Sequence, residues 1–520
     1  MQTPLLNRNP IFVAQLTPGV VPAEQGSRGA NKGDFSANGQ RSQQNNYILD
    51  GVDNNAVLVD IPNGASYVIK PVPDALAEFK VQTSNYNAEI GRAAGAVVNM
   101  SIKSGTNGFH GSLWEYWRND ILNARDYFQS ITPKYRQNQF GATIGGPILK
   151  DKLFFFGDVE ANRIIFGQTS INSVPTLKMR QGDFSELLDP ALTAGNTRTL
   201  YVPGSAGTVL QQCGGRQNVF CPSQVNAVAQ NVVNAIPAPN FGVVGQTYNN
   251  YRFQGSASDN TTQYDGRVDW NASPKDQVFA RYSVFNQAQN FPNPFGLLDG
   301  GGFGAGGNIG LKGRNFTLSE THFFSPTLSN EFRFGYNWIN AQYQQAFSGA
   351  DVSSQLGLGG IPFDQGNGGT PHFNLTGLTS FGSPEYVPTN EYENVAQILD
   401  NVSKIIHHHT LKMGVNFQRI RVQTLQPTTP RGTHNFTGKY PQVPGQSAST
   451  GFGAADLIAN QMDNASISNI STVHNQRWYR SAYFQDDWQV MPKLTLNMGI
   501  RWEYFQPQEE LEWAPGEFSD

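Results

Sequence analysis

The feature that most constrains this fold is a strict alternation of apolar and polar side chains over long segments. In residues 494–505, LTLNMGIRWEYF, every second side chain from Leu494 to Tyr504 is apolar, and those between are polar, charged or glycine. Residues 264–270, YDGRVDW, oppose two aromatic residues and a valine to three charged ones. Successive side chains of a strand point to opposite faces, so such segments predict strands with one apolar and one charged face.

The length of these segments favours a membrane barrel. Strands of soluble sandwiches usually run about 5 to 6 residues, whereas tilted membrane strands need about 9 to 11. An odd, open set of strands cannot close a barrel in lipid, so the chain is expected to be truncated. The alternation predicts about eleven strands, near residues 109–117, 138–146, 152–162, 263–271, 276–286, 313–324, 327–340, 394–403, 409–421, 476–490 and 493–505.

The connections between the predicted strands fall into two sizes. Tight turns on one side and long loops on the other are typical of outer-membrane barrels. The short connections lie at residues 271–276, 324–327 and 490–493, and the long ones around residues 168–260, 286–312, 341–390 and 421–475.

The composition agrees with a lipid-facing surface and argues against a spanning helix and against nucleic-acid binding. Only 15% of the residues are charged, against roughly 25% in soluble globular chains, while 12% are aromatic. The mean hydropathy of -0.42 fits strands that alternate, and no window reaches the roughly 18 apolar residues of a spanning helix. A net charge of -4 gives no general attraction to nucleic acid, so nucleic-acid partners are set aside.

The segment 39–55, GQRSQQNNYILDGVDNN, closely resembles the plug signature of TonB-dependent outer-membrane receptors, particularly the Oar-like group. The similarity continues through residues 77–120, which resemble the end of the plug, the hinge and the first barrel strand of that group. Residues 138–160 and the last strand pair resemble its barrel. The signature residues are Gly39, Arg41, Asn46, Tyr47, Leu49, Asp50, Gly51 and Val52.

The resemblance implies a mainly β protein with two domains. A small α/β plug domain would occupy residues 1–106, followed in residues 107–520 by the first part of an antiparallel transmembrane β-barrel of about 22 strands when complete. In the segment that joins them, Gly91, Gly95 and Gly105 would allow turns and close approach to the barrel wall. Arg92 would either pair with barrel carboxylates or remain a solvated loop cation.

The resemblance also sets expectations that this sequence does not meet. A signal peptide, a TonB box, the regulatory-like N-terminal domain and the remaining strands are not found, so a fragment is expected. The only cysteines, Cys213 and Cys221, lie in a Gly- and Asn-bearing segment that resembles a loop. A local disulfide formed in an oxidising compartment is the expectation, with two free thiols as the alternative.

Other motifs indicate no chemistry. Residues 302–307, GFGAGG, fit a dinucleotide-binding pattern but lack the flanking strand and helix, so an external loop is expected. The run His407, His408 and His409 cannot bind one metal ion together, because adjacent strand residues point in opposite directions, and a tight turn is expected there. The paired carboxylates at 50 and 53 and at 486 and 487 lack a calcium-loop spacing. No catalytic, cofactor or metal residue is therefore predicted, and the protein is not expected to be an enzyme.

Three functions remain open. The first is active uptake of a bulky solute across the cell outer membrane, bound by external loops and apical plug residues and driven by the TonB-ExbB-ExbD complex, with outer-membrane lipid around the barrel. Saccharide and peptide oligomers are equally expected solutes, and siderophores less so. The second is a surface barrel for adhesion or structure without transport. The third is a secreted soluble all-β carbohydrate-binding or hydrolytic protein.

Overall fold

The computed structural model describes residues 8–23, 32–58, 64–125, 127, 132–203, 205, 207–211, 213–300, 302, 305–364 and 366–511. Several residues of interest therefore lie outside the described part, namely Phe303 and Gly304 of the glycine-rich motif and the terminal segment 512–520. None of the described helices is both long and apolar enough to cross a membrane.

The first part of the chain, residues 8–105, forms an N-terminal unit built on two small sheets. In the larger sheet the order is β4-β3-β6-β5, with β3 and β6 parallel and the other pairs antiparallel. The helical part of this unit consists of 3-10 turns at Pro10–Leu16, Ser42–Gln44 and Pro73–Ala75. The strands are β1 (Val20–Pro22), β2 (Phe35–Ala37), β3 (Asn46–Leu49), β4 (Val52–Asp53), β5 (Leu76–Gln82) and β6 (Val97–Ile102).

The rest of the chain is dominated by one antiparallel sheet, called the wall. Each of the eleven predicted strands corresponds to one of its strands, and together they follow the chain order from β7 to β20. A short strand, β21 (Glu509–Glu510), also pairs with β19. The wall strands are β7 (His110–Asn119), β8 (Tyr135–Leu149), β9 (Leu153–Asn172), β10 (Tyr251–Asn271), β11 (Asp276–Phe291), β12 (Gly307–Ser325), β13 (Leu328–Gln344), β15 (Thr389–Ile406), β16 (His409–Leu425), β19 (Thr472–Met491) and β20 (Leu494–Phe505).

The two faces of the wall are inverted relative to a soluble protein. On β10, Tyr264, Val268 and Trp270 are 42–50% exposed on the outer face, whereas Asp265 on the other face is 4% exposed. The apolar side chains of β20 are likewise exposed. The polar face instead contacts the N-terminal unit, whose hydrophobic core continues into the wall at Phe156 and a few neighbouring wall residues. A sheet that buries its charged face and exposes its aromatic face is suited to contact with lipid on the exposed side.

Tight turns join the wall strands at one end and long loops at the other, as predicted. His407 and His408 form one of the tight turns, between β15 and β16. The remaining histidine of that run, His409, begins β16, and its Nδ1 lies 2.8 Å from Asp486 Oδ2 across the strand pair. The other tight turns lie at residues 150–152, 272–275, 326–327 and 492–493.

The long loops are folded together into a single body, the loop cap, formed by the described residues within 173–250, 292–306, 345–388 and 426–471. Its buried side chains form one hydrophobic cluster that draws on all four loops. Cys213 and Cys221 form a disulfide within the first loop, with their Cα atoms 5.0 Å apart. Its regular elements are α1 (Ala227–Ala235), α2 (Val352–Gln355), α3 (Gly453–Ile458), β14 (His372–Leu375), β17 (Thr433–Phe436) and β18 (Asn464–Ser466), with 3-10 turns at Met179–Gln181, Ser185–Leu188, Pro222–Gln224 and Gly296–Leu298.

Candidate functional site

The hairpin of β3 and β4 carries the end of the plug signature to the polar face of the wall. Its two-residue turn is Asp50–Gly51, with φ of +49° and +80°. A type I′ turn needs positive φ at both central residues, which an Asp-Gly pair adopts readily. The sequence therefore builds a narrow tip that places one carboxylate at its end.

The Asp50 carboxylate binds two arginines of the wall. Its Oδ2 accepts a hydrogen bond from Arg281 Nε at 2.6 Å, and its Oδ1 accepts one from Arg267 Nη1 at 3.1 Å. The backbone N–H of Ile102 also donates to Oδ1 at 3.1 Å. The Arg281 side chain has no exposed surface, so Asp50 is the counter-ion that makes this buried charge tolerable.

The guanidinium of Arg281 is satisfied on its remaining sides by the wall itself. Its Nη2 donates to Asn315 Oδ1 at 2.5 Å and to Thr317 Oγ1 at 2.8 Å, while Nη1 donates to Ser283 Oγ at 2.5 Å. Ser283 in turn donates to Asp265 on the neighbouring strand. A planar cation that donates four hydrogen bonds in fixed directions keeps the tip in one position along the wall.

Close packing explains the glycine and the valine of the signature. A Cβ on Gly51 would lie 1.9 Å from Arg333 Nη1, so the tip contacts a third wall arginine without room for a side chain. Val52 is 1% exposed, and its Cβ lies 2.9 Å from where a Cβ would stand on Gly335 of β13. Because Gly51 of the hairpin and Gly335 of the wall both lack a side chain, the hairpin can approach the wall backbone closely.

The other signature residues shape the N-terminal unit itself. Tyr47 and Leu49 have no exposed surface and lie in its core, and Asn46 Nδ2 donates to the carbonyl of Gly91 at 2.8 Å. Gly39 adopts φ +79° in a turn after β2. Arg41 is exposed before the 3-10 turn at Ser42–Gln44, so these two positions do not reach the wall.

Arg92 meets neither of its two expectations in full. Its side chain forms an ion pair with Asp53 of the same unit, and its Nη1 lies 3.4 Å from Gln418 Oε1 of the wall. Its backbone N–H instead contacts the wall, donating to Glu503 Oε1 at 3.1 Å. The guanidinium of Arg92 therefore pairs with a carboxylate of its own unit instead of the predicted barrel carboxylate, and Glu503 is contacted by the Arg92 main chain.

The three glycines around Arg92 differ in their surroundings. A Cβ on Gly91 would lie 1.9 Å from Glu503 Oε1, and one on Gly105 would lie 2.3 Å from the carbonyl oxygen of Phe155. Both therefore permit close approach to the wall, as the resemblance implies. A Cβ on Gly95 would instead lie 2.4 Å from Asn45 Oδ1 of its own unit, so this glycine permits close packing within the unit.

A polar cavity of about 260 Å³ lies between the N-terminal unit and the wall. It borders the Asp50–Gly51 tip on one side and the Arg92 segment on the other. Charged and amide side chains dominate the part contributed by the wall, including Arg333, Gln397, Asn416, Gln418 and Arg501.

The sequence did not identify the wall residues that contact the N-terminal unit. Glu393 of β15 is one, because both of its carboxylate oxygens accept from backbone N–H groups, of Val57 at 2.7 Å and Leu58 at 2.6 Å. Arg501 is another, with Nη1 3.0 Å from the carbonyl oxygens of Ala88 and Glu89. The polar face of each alternating strand indicated where such residues lie, without indicating their partners.

Asp34 gives the N-terminal unit a pH-dependent stability. It has no exposed surface and accepts from Ser66 Oγ at 2.6 Å and Ser66 N at 3.0 Å, yet burial raises its pKa to about 6. Because the folded state holds this proton more tightly than the unfolded chain, the stabilisation is complete below about pH 4 and is lost as pH rises through about 6.

Asp34→Asn is therefore expected to remove this pH dependence and to stabilise the unit at pH 8 by up to about 3 kcal/mol. Hydrogen exchange of β2 at pH 5 and pH 8, corrected for the intrinsic rate, measures the effect. The exposed Glu78→Gln is the matched control, and an unchanged pH response in Asp34→Asn would contradict the assignment.

Comparisons with known proteins agree with this architecture. Residues 101–518 match the family model described as outer membrane beta barrel domain. Over 139 residues, 25% of this chain, the sequence is 37% identical to the TonB-dependent transporter Oar of Myxococcus xanthus, covering 12% of that protein. The resemblance to the Oar-like group is thereby confirmed.

Solved structures show the same fold at low sequence identity. The outer membrane transporter YddB from Escherichia coli has a TM-score of 0.52 and 11% identity, over 97% of this chain and 55% of that one. FpvA of P. aeruginosa bound to heterologous pyoverdines has a TM-score of 0.51 and 10% identity, over 97% and 51%. The chain thus spans about half the length of these structures.

Oar is named as a transporter and not as an enzyme, in agreement with the lack of predicted catalytic residues. A wall with an apolar outer face, tight turns at one end and long loops at the other is the architecture that the matched family describes. The chain belongs to the outer membrane β-barrel domain family, and its place is the outer membrane.

Proposed function

We propose that this chain is the plug and the first part of the barrel of a TonB-dependent transporter that takes up a bulky solute. The N-terminal unit is the plug, ending near residue 106, and the wall is the barrel segment. One observation carries the proposal: the Asp50–Gly51 tip is held on the polar face of the wall by Arg267 and Arg281. A folded unit in that place blocks the lumen of a large barrel.

The character of this contact supports a plug that moves. The contact includes apolar packing at Phe156, but it also contains many hydrogen bonds and ion pairs, which water entering the lumen can replace, and it borders a polar cavity. We therefore expect the TonB-ExbB-ExbD complex to supply the work that shifts the plug. The loop cap at the other end is the expected site of first contact with the solute, an oligosaccharide or a peptide.

A reversible tether between plug and wall tests whether the plug must move. A Cβ added at Gly499 would lie 2.8 Å from the Cβ of Ala88, so the pair Ala88→Cys and Gly499→Cys is placed for a disulfide after a small shift. Uptake of fluorescent oligosaccharides, fluorescent peptides and ferric pyoverdine is first screened in cells with and without TonB. The tethered protein is expected to lose at least about 90% of any TonB-dependent uptake and to regain it on reduction, since the plug can then leave the lumen.

A disulfide within the wall is the matched control. Ser112 and Thr143 are directly paired on β7 and β8, with their hydroxyls 2.8 Å apart, so cysteines there bridge two wall strands without touching the plug. This pair should transport normally whether oxidised or reduced. If the plug tether leaves uptake intact, plug movement is refuted. If no probe depends on TonB, the alternative of a non-transporting surface barrel is favoured.

A further inference from the structure

Three side chains with metal-binding atoms meet on the wall beside its tight turns. One ligand atom from each of Asp276, Glu320 and His322 lies within 4.8 Å of the others, and within the described ranges this is the one such group of three. All three side chains are partly buried, with 34% of Asp276 and 30% of His322 exposed.

The strand register brings these residues together. Asp276 at the start of β11 pairs directly with His322 of β12, and Glu320 lies two residues earlier on β12. Residues two apart on one strand share a face, and so do directly paired residues on neighbouring strands. This face is the outer one, because Leu318 has the same parity and is 36% exposed, whereas Ser319 is 2% exposed.

Neighbouring groups fix two of the three side chains. Ser273 Oγ donates to Oδ2 of Asp276, which leaves Oδ1 facing His322 Nδ1 at 2.5 Å. Phe324 packs edge-on against the His322 ring, with centroids 4.3 Å apart. Such support orients a carboxylate and an imidazole before any ligand arrives.

We propose that Asp276, Glu320 and His322 bind a divalent transition-metal ion, with Zn²⁺ as the best match. Zinc takes one imidazole nitrogen and carboxylate oxygens at about 2.0–2.2 Å, and three protein ligands leave its fourth position to water. Tetrahedral ligands at that distance are about 3.3 Å apart, so the contact between Asp276 and His322 opens by about 0.8 Å, which side-chain rotation allows. The Glu320 carboxylate lies within 4.8 Å of the other two ligand atoms and closes the remaining distance by rotation of its side chain.

The site occupies the rim of the wall at the tight-turn end, beside the turns at 272–275 and 326–327. In outer-membrane barrels the short turns face the periplasm. A bound ion there would join β11 to β12 through ligands on both strands. It would neutralise two carboxylates on a face otherwise given to lipid. The site is independent of solute transport and of the plug.

Zinc titration of the full protein, purified from outer membranes in detergent, tests the site. Isothermal titration calorimetry is expected to show one saturable Zn²⁺ site. Asp276→Asn and His322→Gln should each weaken it by about 100-fold, because each removes one of three ligands. Asp400→Asn is the matched control, since this carboxylate lies on β15 of the same wall, bonds to Asn330 and has no part in the cluster.

Heat-modifiable gel mobility establishes that each variant is folded, and Glu320→Gln replaces any variant that is not. Cobalt provides a second readout, because Co²⁺ bound by one nitrogen and oxygens in four-coordinate geometry gives a visible absorption band that the variants should lose. The proposal is overturned if no zinc binds below about 1 mM. It is equally overturned if the Asp276 and His322 variants bind zinc as tightly as the Asp400 control.

Discussion

Replacing Asp50 with alanine is expected to weaken the attachment of the plug to the wall by about 3–5 kcal/mol. The loss is large because Arg281 keeps its charge in a place with no exposed surface and loses its carboxylate partner. Arg267 loses one of its two carboxylate partners but keeps Asp269, 2.8 Å from Nη2. Hydrogen exchange of β3 and β6 in the purified protein measures the effect as faster exchange of the plug.

Two further variants separate charge from shape. Asp50→Asn preserves the size of the side chain and removes its charge, so it should cost nearly as much as alanine if the counter-ion is what matters. The control Glu78→Gln removes an exposed carboxylate of the same unit and should leave exchange unchanged. Normal plug protection in both Asp50 variants would show that Arg281 does not depend on this carboxylate.

The second large effect is expected in the loop cap, from Phe184→Ala. Phe184 has no exposed surface and contacts Phe220 of its own loop and Phe452 of the last loop, with ring centroids 5.9 Å and 6.4 Å apart. Deleting a buried ring of this size costs about 3–5 kcal/mol through lost burial and the cavity that remains. We therefore expect local unfolding of the cap and rapid cleavage of the loops by an added protease.

The wall should survive this change, because its strands are held by their own backbone ladder. Heat-modifiable mobility of Phe184→Ala is expected to match that of the parent protein even where the loops are cut. Val244→Ala is the matched control, since Val244 is 99% exposed in the same loop and loses nothing by truncation. Protease resistance equal to this control would disprove a shared core.

The wall could be predicted from the sequence because a membrane strand shows its two faces as a period of two. The positions at which the strands end on the side of the long loops could not be predicted. β10 begins at Tyr251 although the pattern starts near residue 263, and β9 runs ten residues beyond the predicted end at 162. The missed residues of β10 are mainly polar and small, since above the bilayer neither face needs to be apolar.

The site was predictable only on the plug side. The Asp-Gly turn appears in the sequence as a local signal, whereas Arg267 and Arg281 lie 217 and 231 residues away from Asp50. The curvature of the wall and the position of the plug within it decide which charged wall residues face the turn. The proposed metal ligands could not be predicted either, because Asp276 and His322 are 46 residues apart in sequence and meet only through strand pairing.

The loop cap was expected as separate long loops, since its apolar residues are scattered among many glycine, proline and asparagine residues. Phe373 and Phe381, for example, stack 5.1 Å apart from opposite sides of a bend. Such contacts depend on tertiary structure alone, and no local rule reports them.

A common core also limits how these loops can diverge in evolution. A loop that stands alone can gain or lose residues freely, but an insertion in one loop of this cap disturbs surfaces buried by the other three. New binding specificity should therefore arise by substitution at the rim, at tips such as Val243 and Val244, rather than by exchange of whole loops. Grafting a foreign loop would require its neighbours to be exchanged with it.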